Sequence, residues 1–342
     1  MEIKTVGIDI GKSWFHLVAC NRAGRPVARH RLNRNKLAQF IANLPRCLIG
    51  MEACPGSQHL ARVIQRSGHD VRLIAPKFIK PYLKSQKNDF NDAEAIAEAV
   101  SRPTMRFVAV RSNEQIDLQA AHRIRERLIG ERTAVINQIR AFLIEYGLPV
   151  KAGRAALRRD LSDILEDAEN GLSPRMRQLV AALREHWHAL EAQITQHTHE
   201  IELVAQRSDD CRRLVTVPGI GPLGATALIA AIGNGAMFGK GRELAAWLGL
   251  VPRQYSTGGK PKLLSIGKRG NRYVRMLFIH GARSCLRHLN RGNHELGAWM
   301  TKLEQRAHKN VVAVALANKM ARIAWAVLAR QEVYRSSAAV VQ

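Results

Sequence analysis

The sequence predicts a chain of three parts: an α/β layered region over residues 1–110, a helical coiled-coil arm over 111–207, and a mainly α region over 208–342. Three observations carry that prediction. Short β-rich runs alternate with helical stretches at the front. A heptad seam runs through the middle. Glycine-punctuated helical stretches rich in basic residues fill the last third.

In the first region, Thr5-Val6-Gly7-Ile8-Asp9-Ile10 reads as one strand and Phe15-His16-Leu17-Val18-Ala19-Cys20 as its neighbour. The turn Asn21-Arg22-Ala23-Gly24-Arg25 leads into a third strand, Val27-Ala28-Arg29-His30. A helix over Lys36–Leu44, a strand over Cys47–Met51, a helix over Gln58–Ser67 and a strand over Val71–Ile74 follow. Three strands in succession, then alternating helices and strands, is the order expected of a ribonuclease-H-like sheet.

In the second region, Met176, Val180, Leu183, Trp187, Leu190, Ile194, His197, Ile201 and Val204 recur at alternating steps of four and three. That is an a/d seam with His197 as its polar member. An earlier helix repeats Ala121, Leu128, Val135 and Phe142 every seven residues, with Arg125 and Arg132 interrupting its second seam. With loops expected around Gly147-Leu148-Pro149 and Asn170-Gly171, the two helices read as an antiparallel coiled-coil arm for spacing and oligomerisation.

Composition narrows the function. The 342 residues carry 53 Lys and Arg against 28 Asp and Glu, a formal charge of +25. Such an excess favours a polyanionic partner, nucleic acid first; a ribosome-associated or merely well-solvated basic protein is the blander reading. The five cysteines are scattered without zinc-site spacing, so neither a disulfide framework nor a structural zinc is expected, and a reducing cytoplasm fits. The first residues run straight into a strand, so no signal peptide is expected. The apolar stretch Val311–Leu328 is broken by Asn318, Lys319 and Arg322, so no membrane span is expected.

Four acids stand out. Asp9 lies near the end of a buried strand, where an ionised carboxylate is costly without a cation. Glu52 sits similarly, after the apolar run Leu48–Met51 and before Ala53-Cys54-Pro55-Gly56. Asp89 and Asp92, within Lys87-Asn88-Asp89-Phe90-Asn91-Asp92-Ala93, are three apart at a helix start and can share a face. Carboxylates so placed suit one or two Mg²⁺ ions, which prefer oxygen ligands, and paired ions stabilise both entering and leaving oxygens of a phosphodiester. Alone, Asp89 or Asp92 reads as a helix N-cap and Glu52 as a salt-bridged loop residue. The string Gly7-Ile8-Asp9-Ile10-Gly11 also opens sugar kinases and actin-like ATPases, but those require a second phosphate loop that the sequence lacks.

The last third carries a second set of motifs. Val217-Pro218-Gly219-Ile220-Gly221-Pro222 has the form of a helix-hairpin-helix, in which Gly219 and Gly221 permit a tight turn that offers N–H groups to a phosphate. A simple interhelix turn is the alternative. Next comes Gly249-Leu250-Val251-Pro252-Arg253-Gln254-Tyr255-Ser256-Thr257-Gly258-Gly259-Lys260, which places a hydroxyl on an expected flexible loop. The run from Lys268 to Arg275 adds Lys268, Arg269 and Arg272. A serine hydroxyl is a weak nucleophile until deprotonated, and Ser256 has no local His–Asp pair. If Ser256 attacks phosphate, its proton must go to a metal-bound hydroxide or a carboxylate brought from elsewhere, which would tie the two ends of the chain into one active site.

Taken in order, these motifs resemble those of the bridge-RNA-guided insertion-sequence transposases, serine recombinases with an Asp-Glu-Asp-Asp motif that are related to pilin-gene invertases. The resemblance runs through Gly7–Lys12, Met51–Cys54, Lys87–Ala93, Pro218–Gly221 and Gly249–Gly259 to Lys268–Asn271, with Gly267 where the family pattern often has a hydroxyl residue. It implies a RuvC-like domain whose Asp9, Glu52, Asp89 and Asp92 hold Mg²⁺, and a Ser256 that forms a covalent phosphoserine link to DNA. It also implies a tetramer whose subunits share composite sites, a structured guide RNA that pairs with donor and target DNA, and action in the bacterial cytoplasm at the nucleoid. Sequence choice would then lie in base pairing, with the protein gripping backbones.

The expected function is therefore that of a DNA transposase, with Gly219, Gly221, Arg253, Lys260, Lys268, Arg269 and Arg272 as candidate nucleic-acid contacts. Two alternatives stay open: a RuvC-like metal nuclease that uses water, and a non-catalytic architectural DNA-binding protein.

Overall fold

The computed structural model describes residues 2–84, 86, 88–292 and 294–336, so Lys87 of the expected acidic motif lies outside the described residues. The chain divides into two compact units, Met1–Ser112 and Asn113–Gln342.

The first unit is built on a six-stranded sheet. Its strands are β1 (Thr5–Ile10), β2 (Trp14–Cys20), β3 (Pro26–Asn33), β4 (Leu48–Glu52), β5 (Asp70–Ile74) and a short β6 (Phe107–Val108), in spatial order β3-β2-β1-β4-β5-β6. The first three form an antiparallel meander, β4 and β5 run parallel to β1, and β6 is antiparallel to β5. A meander followed by parallel strands reached through helices is the arrangement the strand and helix order foretells. The helices are α1 (Arg34–Asn43), α2 (Ser57–Arg66), the short α3 (Pro76–Ile79) and α4 (Asp89–Val100).

Alternation along the strands explains the layers. Val6 and Ile8 of β1, Phe15 and Leu17 of β2, and Ile49 and Met51 of β4 are buried with Leu37 and Ile41 of α1 and Leu60 and Ile64 of α2. Gly7 of β1 points the other way, toward α4. A Cβ built there would stand 2.0 Å from the Ala93 carbonyl oxygen and 2.5 Å from the Ala97 nitrogen. Gly50 of β4 does the same for Val100, whose Cβ would be 2.8 Å away. Two glycines below and Ala93 and Ala97 above let the helix backbone rest almost directly on the sheet. That close seat sets where the first turn of α4 falls.

The second unit is helical except for one hairpin. Its elements are α5 (Asn113–Glu145), α6 (Arg154–Glu166), α7 (Pro174–Arg207), α8 (Asp209–Val215), α9 (Pro222–Ile232) and α10 (Gly241–Trp247). They continue through β7 (Pro252–Thr257), β8 (Lys260–Ile266), α11 (Arg272–His288), α12 (Glu295–Glu304) and α13 (Lys309–Arg330). The last third is mainly helical with one β-ribbon that the sequence reading did not foresee, and Ser256 lies in its first strand rather than on a flexible loop.

Helices α5 and α7 run antiparallel along most of their length, as the pairs Arg125–Thr198, Arg132–Glu191 and Tyr146–Ser173 demonstrate. Val180, Trp187, Leu190, Ile194 and Ile201 of the α7 heptad are buried, but Val204 is 42% exposed and Ala205 takes its place inside. A straight helix drifts about 20° per heptad against a 3.5-residue repeat, and the end of α7 packs on α8 and α9. On α5 the buried apolar positions are Val135, Ile136, Ile139 and Leu143, with Leu128 and Phe142 at the margin. The two arginines that break the α5 seam have polar partners across the interface: Arg125 donates to Thr198 Oγ1 at 2.7 Å, and Arg132 meets Glu191 at 3.7 Å. The expected loop between the long helices contains a third helix, α6, whose Leu157 and Leu161 are buried with Trp187.

By length and composition α13 is apolar enough to cross a membrane, contrary to the sequence expectation, with half of its most apolar stretch buried within the protein. Its Leu316, Ala317, Met320, Ala321 and Ala324 are wholly buried and belong to the second unit's core. The apolar length is that of a core helix.

Candidate active-site residues

Strand register delivers the first group. Asp9 is the fifth residue of β1, and Glu52 ends the neighbouring parallel strand β4, in which Met51 pairs with Ile8. Both carboxylates therefore emerge at the same end of the sheet, on its two central strands. The α4 helix, seated on Gly7 and Gly50, brings Asp89 and Asp92 in its first turn to that end. Asn88 caps the helix by accepting from the Phe90 N–H at 2.9 Å. The cap is thus Asn88, which leaves both aspartates for other work.

The carboxylates sense one another. Burial raises the Asp9 pKa above the ordinary 3.8, and Asp92, Asp89 and Glu52 raise it further, in that order, with His16 opposing them. Glu52 is raised by burial and then by Asp92, against the opposing charge of Lys80. Like charges so gathered disfavour ionisation unless a cation joins them. Burial also pushes up the neighbouring Cys54 thiol, with Glu52 and Asp9 adding to it.

One member of this group escaped the sequence reading. His16 of β2 lies directly across the hairpin from Asp9. Its Nδ1 is 3.4 Å from Asp89 Oδ2, and its ring stands edge-on to Phe90 at 4.9 Å. Ligand atoms of Asp9, His16 and Asp89 all lie within 4.8 Å of one another, close enough to share a metal ion. The signal was present: a three-residue turn after Ile10, closed by Gly11 N–H donating to the Trp14 carbonyl, fixes the register that pairs positions 9 and 16. A donor set of carboxylates with one imidazole fits a divalent metal ion.

In the second unit, Ser256 sits on a fully exposed strand. Thr257 pairs with Lys260 across a two-residue turn in which Gly258 and Gly259 have φ of 55° and 74°. Positive φ at both central residues is the geometry that matches the twist of a tight hairpin. Gln254, two residues before and so on the same face, donates from Nε2 to Ser256 Oγ at 2.8 Å. That bond fills an acceptor site and leaves the serine O–H free to point elsewhere. Lys260 follows the turn directly, whereas Arg253 lies at the base of the hairpin beside Gly267, and both are exposed.

The base of the hairpin explains the surrounding motif. Gly267 N–H donates to the Val251 carbonyl at 2.8 Å, and Lys268 N–H to the Gly249 carbonyl at 3.1 Å. A Cβ at Gly249 would lie 2.2 Å from the Arg269 carbonyl oxygen, and one at Gly270 would lie 1.7 Å from that of Trp247. The two segments interlock because neither carries a side chain there. Lys268, at φ 53°, Arg269 and Arg272 remain exposed. Arg275 instead turns inward, donating to the carbonyls of Leu248 at 2.8 Å and Arg269 at 3.1 Å. That run of cations therefore divides into surface charge and internal scaffold.

The turn Val217–Gly221 joins α8 to α9. Gly219, at φ 83°, is clamped on α11, where a Cβ on Gly281 would stand 1.9 Å from the Gly219 carbonyl oxygen. Gly221 is exposed with open space around it and stands at the N-terminus of α9, whose first-turn N–H groups lack intrahelical acceptors.

Comparison with known proteins places these features in a family. Residues 6–147 match a transposase family model bearing the DEDD designation, and residues 211–296 match that of the IS116/IS110/IS902 family transposases. A probable family 20 transposase of Pseudomonas aeruginosa is 44% identical over 98% of this chain and 99% of its own length. The transposase of insertion sequence element IS1328 from Yersinia enterocolitica is 41% identical over 97% and 99%. More distantly, a pilin gene-inverting protein of Moraxella bovis is 24% identical over 76% and 73%. The chain belongs to the IS116/IS110/IS902 family of insertion-sequence transposases, enzymes that cut and transfer DNA.

Proposed function

We propose that this transposase cuts and rejoins DNA with Ser256 as the nucleophile and Asp9, Glu52, Asp89 and Asp92 as the holders of Mg²⁺. The gathering of Asp9, His16 and Asp89 ligand atoms within 4.8 Å of one another, at the end of the sheet where Glu52 and the first turn of α4 also lie, is the observation that carries the metal reading. A cation held there would supply positive charge to a phosphodiester in its transition state, and His16 would add an imidazole to the residues that hold it.

Ser256 Oγ forms a bond to the scissile phosphorus, the bond from phosphorus to a sugar oxygen breaks, the serine proton leaves, and the departing sugar oxygen gains one. Gln254 orients the hydroxyl. Arg253, Lys260, Lys268, Arg269 and Arg272 meet the charge of the strand, and the N-terminus of α9 behind Gly221 grips a backbone phosphate without reading bases, the helix-hairpin-helix role. We further propose three functional domains (residues 1–110, 111–207 as a coiled-coil arm, and 208–342), a tetramer, and recognition of donor and target DNA through a structured guide RNA.

Strand exchange on a plasmid that carries this element with its flanks tests the proposal. Ser256→Ala is expected to abolish exchange and leave DNA binding intact, and Asp9→Asn to abolish metal-dependent cutting. Exchange by Ser256→Ala would favour a nuclease that uses water; activity undiminished in chelator would remove the metal.

A further inference from the structure

The second unit contains a cavity that neither the acidic group nor Ser256 lines. It is a half-open space of about 420 Å³ between α6 and α7, walled chiefly by Arg158, Ser162, Arg184, Trp187, His188 and Glu191. Its only carboxylate is already taken: Glu191 meets Arg132 at 3.7 Å, Arg154 at 3.5 Å, and Arg158 by its other oxygen. Two buried donors are left over. Trp187 is wholly buried, yet its Nε1 has no acceptor, and neither has Nε of Arg184. Indole and guanidinium N–H groups can only donate, and buried donors without acceptors are rare in folded proteins.

The cations also crowd one another. Burial first, and then Arg154, Arg125 and Arg158, hold the Arg132 guanidinium below its usual value. Arg158 lies over the Trp187 ring, 5.6 Å from its centre. The cavity is thus rich in donors and positive charge and short of acceptors, and an anion would satisfy it. Guanidinium forks match the oxygens of phosphate, and the chain's substrate, DNA, is a phosphodiester strand.

We propose that this cavity is a phosphate-binding subsite for a nucleic-acid backbone, held by Arg158, Arg184 and Trp187 Nε1. It rests on the chain acting on nucleic acid and is independent of the serine and metal assignments.

The test uses the full chain and two fluorescent probes, a short single-stranded RNA and a short DNA duplex, titrated across a range of salt. Arg184→Gln and Ser162→Glu are each expected to weaken binding of at least one probe by roughly ten-fold, and Arg184→Gln to lower its salt slope by about one. Trp187→Phe keeps the ring and loses only the donor, and should weaken binding about five-fold. Loss confined to RNA or to duplex identifies the strand that docks. Should a variant misfold, the indole N–H resonance of Trp187 in the unaltered chain decides: a shift on adding either probe supports the subsite. Wild-type affinity in all three folded variants, or an unmoved resonance, overturns it.

Discussion

Replacing Gly7 with alanine tests how the acidic group is assembled. The new Cβ would lie 2.0 Å from the Ala93 carbonyl oxygen and 2.5 Å from the Ala97 nitrogen, both backbone atoms of α4. Ordinary contact requires more than 3 Å, so α4 must retreat by about 1 Å, since neither β1 nor the helix can yield through a rotamer. Overpacking of this kind costs about 3 kcal/mol, the upper end of the usual range, which lowers the melting temperature of a domain this size by roughly 10–20 °C. The same retreat carries Asp89 and Asp92 away from Asp9 and Glu52. On the same preparation, the melting temperature should therefore fall by that amount and Mg²⁺-dependent strand cutting should be lost. Gly130→Ala, in α5 with nothing within 4 Å, is the control; it should gain about 0.5–1 kcal/mol and keep full activity. A Gly7→Ala protein as stable and active as the parent would show that α4 is not seated on β1 as described.

Further outcomes follow from the electrostatics and the hairpin. Asp9 has a raised folded pKa, so between 3.8 and that value the native state binds more protons than the unfolded one, and metal-free stability falls as pH rises through the window. Asp9→Asn should accordingly melt higher than wild type at neutral pH without metal and lose the stabilisation that Mg²⁺ gives the parent; a lower metal-free melting point would contradict the repulsion. His122 behaves oppositely. It is buried between Tyr273 Oη at 3.0 Å and Thr226 Oγ1 at 2.9 Å, and burial, with Arg125 second, depresses it from 6.5 to about 4. Stability is present above pH 6.5 and lost as pH falls toward 4, by about 3 kcal/mol in total. Urea midpoints at pH 7 and pH 4.5 should show this loss in the parent and much less of it in His122→Gln, and equal losses would clear His122. Gln254→Ala should slow strand exchange about five-fold through loss of one neutral hydrogen bond, leaving DNA affinity unchanged; a change in affinity alone would assign Gln254 to binding.

Much of the first unit is legible in sequence because its strands are short apolar runs ending in charge. Asp9 and Glu52 stand out for that reason: a carboxylate at the end of Val6–Ile8 or Leu48–Met51 has no structural use there. His16 is not legible by the same rule, since an imidazole inside a strand is unremarkable until register sets it across from Asp9. The hairpin around Ser256 is a different case. Gly258-Gly259 is a strong turn signal, but the strands it joins are exposed throughout β7 and lack the apolar alternation that marks a sheet facing a core. The arm departs from its heptads for a third reason. Arg125 and Arg132 look like interruptions along the chain, and only the facing Thr198 and Glu191 reveal them as interface residues.

The covalent step can be observed directly. The full chain, incubated with Mg²⁺ and a plasmid bearing the element and its flanks, then quenched and digested with protease and nuclease, should yield one peptide carrying a nucleotide phosphate, linked at Ser256. The same adduct in a Ser256→Ala protein, or its absence from a wild-type reaction that has cut DNA, would contradict the assignment of that hydroxyl.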